Sequence, residues 1–268
     1  MAIIHKPQQH SSHWYRSDGS PMHSIKKADG SGTRPTHKSD ARKLGLLPSV
    51  TNMLGIYAKP GLNSWRETQV ALATLDNPRG PNEGQDYWTK RVRRAAFDQV
   101  DAAADLGSAI HHAIDNALGN YDWNQELAEY VRPVLDWVQS TGIEIVSREH
   151  RVVNPEEGFA GTADAFFRFN SKGMGILDYK TKKTKPGQKI TAYPEQRMQL
   201  AAYAATYWGE ANLPDVLAAN VFISTTEPGR MEVVKVQDLS RHWLAFRLTA
   251  AMWRYFNDYD PRRKHERT

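Results

Sequence analysis

The spacing of apolar residues changes near Gly142, and that change constrains the fold more than any other feature of the chain. Before it, apolar residues recur at helical intervals. After it come short β-branched and aromatic runs separated by turn residues. Pro48-Ser49-Val50-Thr51 opens a short helix with Ser49 as its cap, and Leu62 to Leu75 reads as a second helix broken by Asn77-Pro78-Arg79-Gly80-Pro81. A long helical pattern runs from Asn82 toward Leu118 through Val92, Ala96, Val100, Ala103, Ile110 and Ile114, with Gly107 expected to interrupt it. Gln125 to Gln139 is another helix, closed by Gly142.

Beyond Gly142, strands are expected at Ile143 to Val153, Phe159 to Phe169 and Met174 to Lys183. Pro194 suits the first turn of a helix ending near Trp208. Val216 to Ser224 and Met231 to Val236 form a hairpin around Glu227-Pro228-Gly229, and Ser240 to Phe256 is a final amphipathic helix. There are no internal repeats. The order predicts an α/β fold: a mixed central β-sheet flanked by helices, with a helical N-terminal layer. Four regions follow. Residues 1–45 read as a polar arm, extended or disordered; 46–142 as the helical layer; 143–258 as the core; and 259–268 as a basic tail.

Composition narrows the chemistry. Among 268 residues there is no cysteine, which excludes disulfides, thiolate zinc and iron–sulfur clusters together. A metal must then be held by Asp, Glu, His or backbone oxygen, which favours Mg²⁺ or Mn²⁺. The formal charge of +5 suits a polyanionic partner. The basic residues cluster at Lys90-Arg91-Val92-Arg93-Arg94, Lys180 to Lys189 and Arg262-Arg263-Lys264, though each run reads equally well as a solvated face. No window approaches the ~18 apolar residues of a membrane span, and the N-terminus lacks a signal-peptide core. The expectation is a cytoplasmic protein without membrane contact.

Strand alternation picks out a site. In the third strand Ile176, Asp178, Lys180 and Lys182 share a face; in the second, Asp164 is expected to share one with Thr162, Phe166 and Arg168. If Phe169 to Gly173 forms a five-residue loop, Arg168 pairs with Met174 and Asp164 lies across from Asp178. Opposed carboxylates repel, and a divalent cation between them reverses that sign. Lys180, one strand repeat from Asp178, can orient or deprotonate water or neutralise charge on phosphate. The plainer alternative is an edge-strand salt bridge between Asp178 and Lys180.

Supporting residues surround the pair. His111 lies one turn after Gly107 at the rim of the apolar stripe, where a neutral imidazole can ligate a metal; His112 lies further round, toward solvent. Gln199 and Tyr203 stand at i,i+4 and project together, as a site pair or as an ordinary helix boundary pair. Glu149, placed at the end of the first strand, either completes a metal shell, directly or through water, or is a surface carboxylate. No Gly-rich phosphate loop, Gly-x-Ser-x-Gly elbow or His-Glu-x-x-His is present.

Gly107-x-x-x-His111, Gly161-x-x-Asp164, Asp178-Tyr179-Lys180 and Gln199-x-x-x-Tyr203 come in an order that resembles RecB-type nucleases of the PD-(D/E)xK superfamily. Pro48-Ser49-Val50-Thr51, Ala58-Lys59-Pro60-Gly61-Leu62 and Trp65 resemble the subgroup of phage exonucleases and the mitochondrial genome-maintenance exonuclease. The resemblance covers about residues 46–256. It departs from the family pattern at Ala163, where proline is usual, and at Asp178, where Glu is common. The resemblance implies a restriction-endonuclease-like core and a metal bound by His111, Asp164, Asp178 and the Tyr179 carbonyl. It implies Lys180 as the catalytic lysine, with Gln199 and Tyr203 completing the site. It also implies a DNA exonuclease of recombination or repair, acting on a free end or a single strand and working with a recombination or single-strand-binding protein, in the host cytoplasm if phage-encoded. A structure-specific endonuclease and a non-catalytic DNA-binding protein on the same fold are the alternatives. Without cysteines the chain is a cluster-free member, its two terminal parts joined by packing alone.

Overall fold

Helices and strands meet in two apolar layers, one on each face of a single sheet. The computed structural model describes residues 13–57, 60–170 and 173–262, with backbone only at 60–62 and 99–103. Strands β1 (Trp14–Tyr15), β2 (Ser24–Lys26) and β3 (Thr33–Pro35) lead to α1 (Lys38–Leu44), β4 (Leu47–Pro48) and α2 (Val50–Leu54). Helices α3 (Pro60–Asp76), α4 (Gln85–Leu118) and α5 (Ala128–Thr141) follow. The core comprises β5 (Glu144–Asn154), β6 (Phe159–Phe169), β7 (Gly173–Lys182), α6 (Pro194–Trp208), β8 (Val216–Ser224), β9 (Met231–Val236) and α7 (Leu239–Asn257).

One five-stranded sheet runs in the order β5-β6-β7-β8-β9. All neighbours are antiparallel except β7 and β8, which are parallel and joined through α6. Each sheet face buries its own apolar set. Phe166, Ile176 and Ala218 pack under α6 and α7 with Leu200, Ala201, Ala204 and Phe246. Leu177, Tyr179, Val221 and Ile223 pack against Ile110, Ile114, Val131 and Val134 of α4 and α5. This is the expected mixed sheet between helical layers. Ser49 caps α2 by accepting from the Asn52 amide, and Gly142 closes α5 with φ of 66°.

Three expectations are corrected. Residues 13–45 are not an extended arm. The aromatic pair Trp14-Tyr15 is buried, β1 pairs with β4, and Trp14 packs its ring against Trp253 and Tyr259. The apolar area of two adjacent aromatics outweighs the polar residues around them. Gly107 does not interrupt α4, which runs unbroken past it. It is the point of close approach to β7, where a Cβ would stand 2.9 Å from Thr181 Oγ1. Glu149 lies in the middle of β5, not at its end, with a left-handed φ of 42°. Residues 1–12, 58–59, 171–172 and 263–268, which carry parts of the arm, the Ala58-Lys59 motif, the β6–β7 loop and the basic tail, lie outside the described residues.

Candidate active site

The register expected between β6 and β7 is the one observed: Arg168 pairs with Met174, and pairing continues to Ala165 and Leu177. The next position in that register sets Asp164 against Asp178, and there the backbone ladder ends. In its place the Tyr179 amide donates to Asp164 Oδ2 at 2.6 Å. A side-chain carboxylate thus takes over where a strand carbonyl would accept, and the two strands open into a fork. The Tyr179 backbone meets Asp164 through its N–H, whereas the carbonyl was the expected ligand.

Alternation along β6 slips at this point. Ala163 and Phe166 belong to the α6–α7 cluster, and Ala165 and Phe167 to the α4–α5 cluster. Asp164 therefore does not share a plain face with Phe166. Glu149, between the pairs Arg148↔Ala165 and His150↔Ala163, has a left-handed φ, and the register shift of β5 lies further along, between Ile145 and Ser147. Asp164 faces α4, where His111 Nδ1 stands 3.9 Å from Asp164 Oδ2.

Asp178 is nearly fully buried and held from two sides. Lys180 Nζ donates to Asp178 Oδ1 at 2.7 Å, and Asn220 Nδ2 donates to Oδ2 at 2.8 Å. Asn220 stands beside Asp178 in the parallel β7–β8 ladder. Sequence reading missed it, although a lone amide in the apolar run Val216 to Ser224 was the available signal. Tyr203, buried on α6, lays its ring against Gly161, where a Cβ would fall 2.7 Å from the hydroxyl. Gln199 stands one helical turn before Tyr203 on α6. A second missed residue, Tyr15, reaches Thr162 with its hydroxyl at 3.3 Å.

The electrostatics follow from burial of like charges. Desolvation and the Asp178 charge push the Asp164 carboxyl well up, against Lys180 and the Tyr179 N–H, which pull it down. Burial and the nearby Lys180 charge push His111 down to about 4, so its ring is neutral at physiological pH. Burial alone would lower the Lys180 pKa, but Asp178 and Asp164 outweigh it and raise it. Glu149 is exposed yet close enough to raise the Asp164 carboxyl further, and its own pKa is raised by partial desolvation and by Asp115. His112 faces solvent, as expected.

Among the described residues no three His, Asp or Glu side chains already stand at metal-cage spacing, since Asp178 is turned to Lys180 and Asn220. The donor set nevertheless fits a hard divalent ion. Two carboxylates and a neutral imidazole face the fork, and Asn220 Oδ1 is a buried oxygen without a donor. Among the described residues no helix is long and apolar enough to cross a membrane.

No family model and no curated protein matches the chain. A solved structure described as "Crystal structure of SSO0001" aligns at a TM-score of 0.35 and 15% identity, over 78% of this chain and 91% of that one, a likeness too slight to bear on function.

Proposed function

We propose that this chain is a metal-dependent deoxyribonuclease that hydrolyses phosphodiester bonds from a DNA end, in recombination, repair or DNA processing. The observation that carries the reading is the acid–acid–lysine set at the β6–β7 fork: Asp164 just past the last pair, Ala165↔Leu177, and on the Tyr179 amide, with Lys180 on Asp178. Asp164, Asp178 and His111, with the Tyr179 carbonyl and Glu149 as further oxygen donors, would hold Mg²⁺ or Mn²⁺, which would supply Lewis acidity toward phosphate.

The protein groups divide the remaining work. Lys180 is held charged by its two carboxylate neighbours, so it stabilises negative charge developing on phosphate and orients water; it does not take a proton. His111 offers a lone pair because it stays neutral. Tyr203 keeps its hydroxyl proton, since burial, then Tyr15 and the nearby Asp178, raise its pKa, and together with Gln199 it presents donors to a phosphate oxygen.

The test is degradation of linear DNA with Mg²⁺ or Mn²⁺ by the wild type, Lys180→Ala and Asp178→Ala. The expected result is a loss of at least about 100-fold in each variant, the scale of removing one electrostatic stabiliser. An inert wild type, or variants that cut as fast, overturns the reading. Cutting of covalently closed circles would move it to an endonuclease.

A further inference from the structure

The basic run Lys180 to Lys189 is only partly used by the fork. Lys182 lies one strand repeat beyond Lys180, roughly 6.6 Å along the same face of β7. Its Nζ sits 5.2 Å from the ring centroid of Tyr193 and 5.9 Å from that of Phe222. Tyr193 is 52% exposed and immediately precedes α6, the helix that carries Gln199 and Tyr203. Six residues of helix separate it from Gln199, roughly 9 Å of axis.

The loop between Lys182 and Tyr193 is pinned. Thr226 Oγ1 accepts from the Thr184 amide and donates to the Thr184 carbonyl. Arg230 donates to the Lys185 carbonyl at 2.9 Å and to the Gln188 carbonyl at 2.5 Å. Lys183, Lys185 and Lys189 are exposed on this braced loop. An exposed aromatic with an ammonium at its face, next to a rigid row of cations, matches the chemistry of an unpaired nucleotide: a base to stack and a phosphate to neutralise.

We propose that Tyr193 and Lys182 form a binding platform for an unpaired nucleotide beside the bond to be cut. This rests on the nuclease reading. The experiment is fluorescence anisotropy with a labelled oligo-dT and an abasic strand of equal length, in EDTA so that nothing is cut. Tyr193→Ala should weaken oligo-dT binding about 5- to 100-fold, the range of one lost base–aromatic stack. Tyr193→Phe should bind like the wild type, and the abasic strand should bind wild type and Tyr193→Ala equally. Lys182→Ala should lower the salt dependence by about one counterion. Wild-type binding that Tyr193→Ala leaves unchanged, or an equal loss on both strands, overturns this inference alone. Absence of any binding by the wild type likewise overturns this inference, whereas the nuclease reading falls separately, on a wild type inert toward linear DNA with Mg²⁺ or Mn²⁺.

Discussion

At the scale of single residues, the site depends on who holds Asp178. A buried carboxylate needs donors, and Lys180 and Asn220 are the two it has. Asn220→Ala is expected to lower the urea midpoint by the equivalent of about 1.5–3 kcal/mol, as for a hydrogen bond to a charged group. It should also reduce turnover in the proposed DNA cleavage, with the Lys180 contact left in place. Asn220→Asp should be worse on both counts at neutral pH, since it sets a second carboxylate against Asp178. Urea titrations paired with single-turnover cleavage decide this; an Asn220→Asp protein as stable as Asn220→Ala would contradict the account. Asp178 and Lys180 were legible because strand alternation is local. Asn220 was not, because its relation to Asp178 is a parallel register across a helical crossover.

At the scale of elements, close approaches decide positions. Gly161 lets the Tyr203 ring lie on β6, and Gly107 lets α4 come down on Thr181 of β7. Gly161→Val should displace Tyr203 and lose turnover with only a modest change in melting temperature, a split that cleavage kinetics and calorimetry read separately. In the N-terminal segment, Arg34 binds Asp40 through both carboxylate oxygens, at 2.7 and 2.9 Å, and Asp40 also accepts from the His37 amide that starts α1. The Arg34 guanidinium, outweighing the cost of burial, holds the Asp40 carboxyl down at about 2, against an ordinary 3.8. A lowered folded pKa means stability that is fully present above pH 4 and is lost as pH falls toward 2. Thermal melts from pH 6 to 2 should therefore show Asp40→Asn less stable than the wild type at pH 6, with the gap closing between pH 4 and 2.

At the scale of the whole molecule, residues 14–46 and residues 253–259 are fastened to each other. The Tyr259 hydroxyl shares its proton between the carbonyls of Ala41 and Leu46, at 3.1 and 2.6 Å, Arg42 donates to the carbonyls of Asn257 and Asp258, and the rings of Trp14, Trp253 and Tyr259 pack on one another. The two segments are thus joined by hydrogen bonds as well as the expected packing. Trp14→Ala should cost about 3–5 kcal/mol, the usual loss for a buried tryptophan. Chemical denaturation measures that, and because Tyr15 beside it reaches Thr162 near the fork, turnover should fall as well. A Trp14→Ala protein of wild-type stability would mean that the clasp is not part of the folded core.

What the chain determined by itself is periodic and local. The strand run Phe159 to Phe169, the helix from Pro194 to Trp208, the cap at Ser49 and the stop at Gly142 all depend on residues within a few positions of one another. The expected register of β6 on β7 held although the loop is shorter than the five residues expected, because Phe169 and Gly173 pair within the strands and the loop stays odd in length. What only the tertiary structure decided depends on neighbours distant in sequence: the docking of Trp14 onto α7, the unbroken passage of α4 over Thr181, the slip of alternation along β6, and the amide of Asn220 on Asp178. Burial is the physical reason. It makes an aromatic pair fold back against its polar context, and it forces a carboxylate to find donors wherever the fold supplies them.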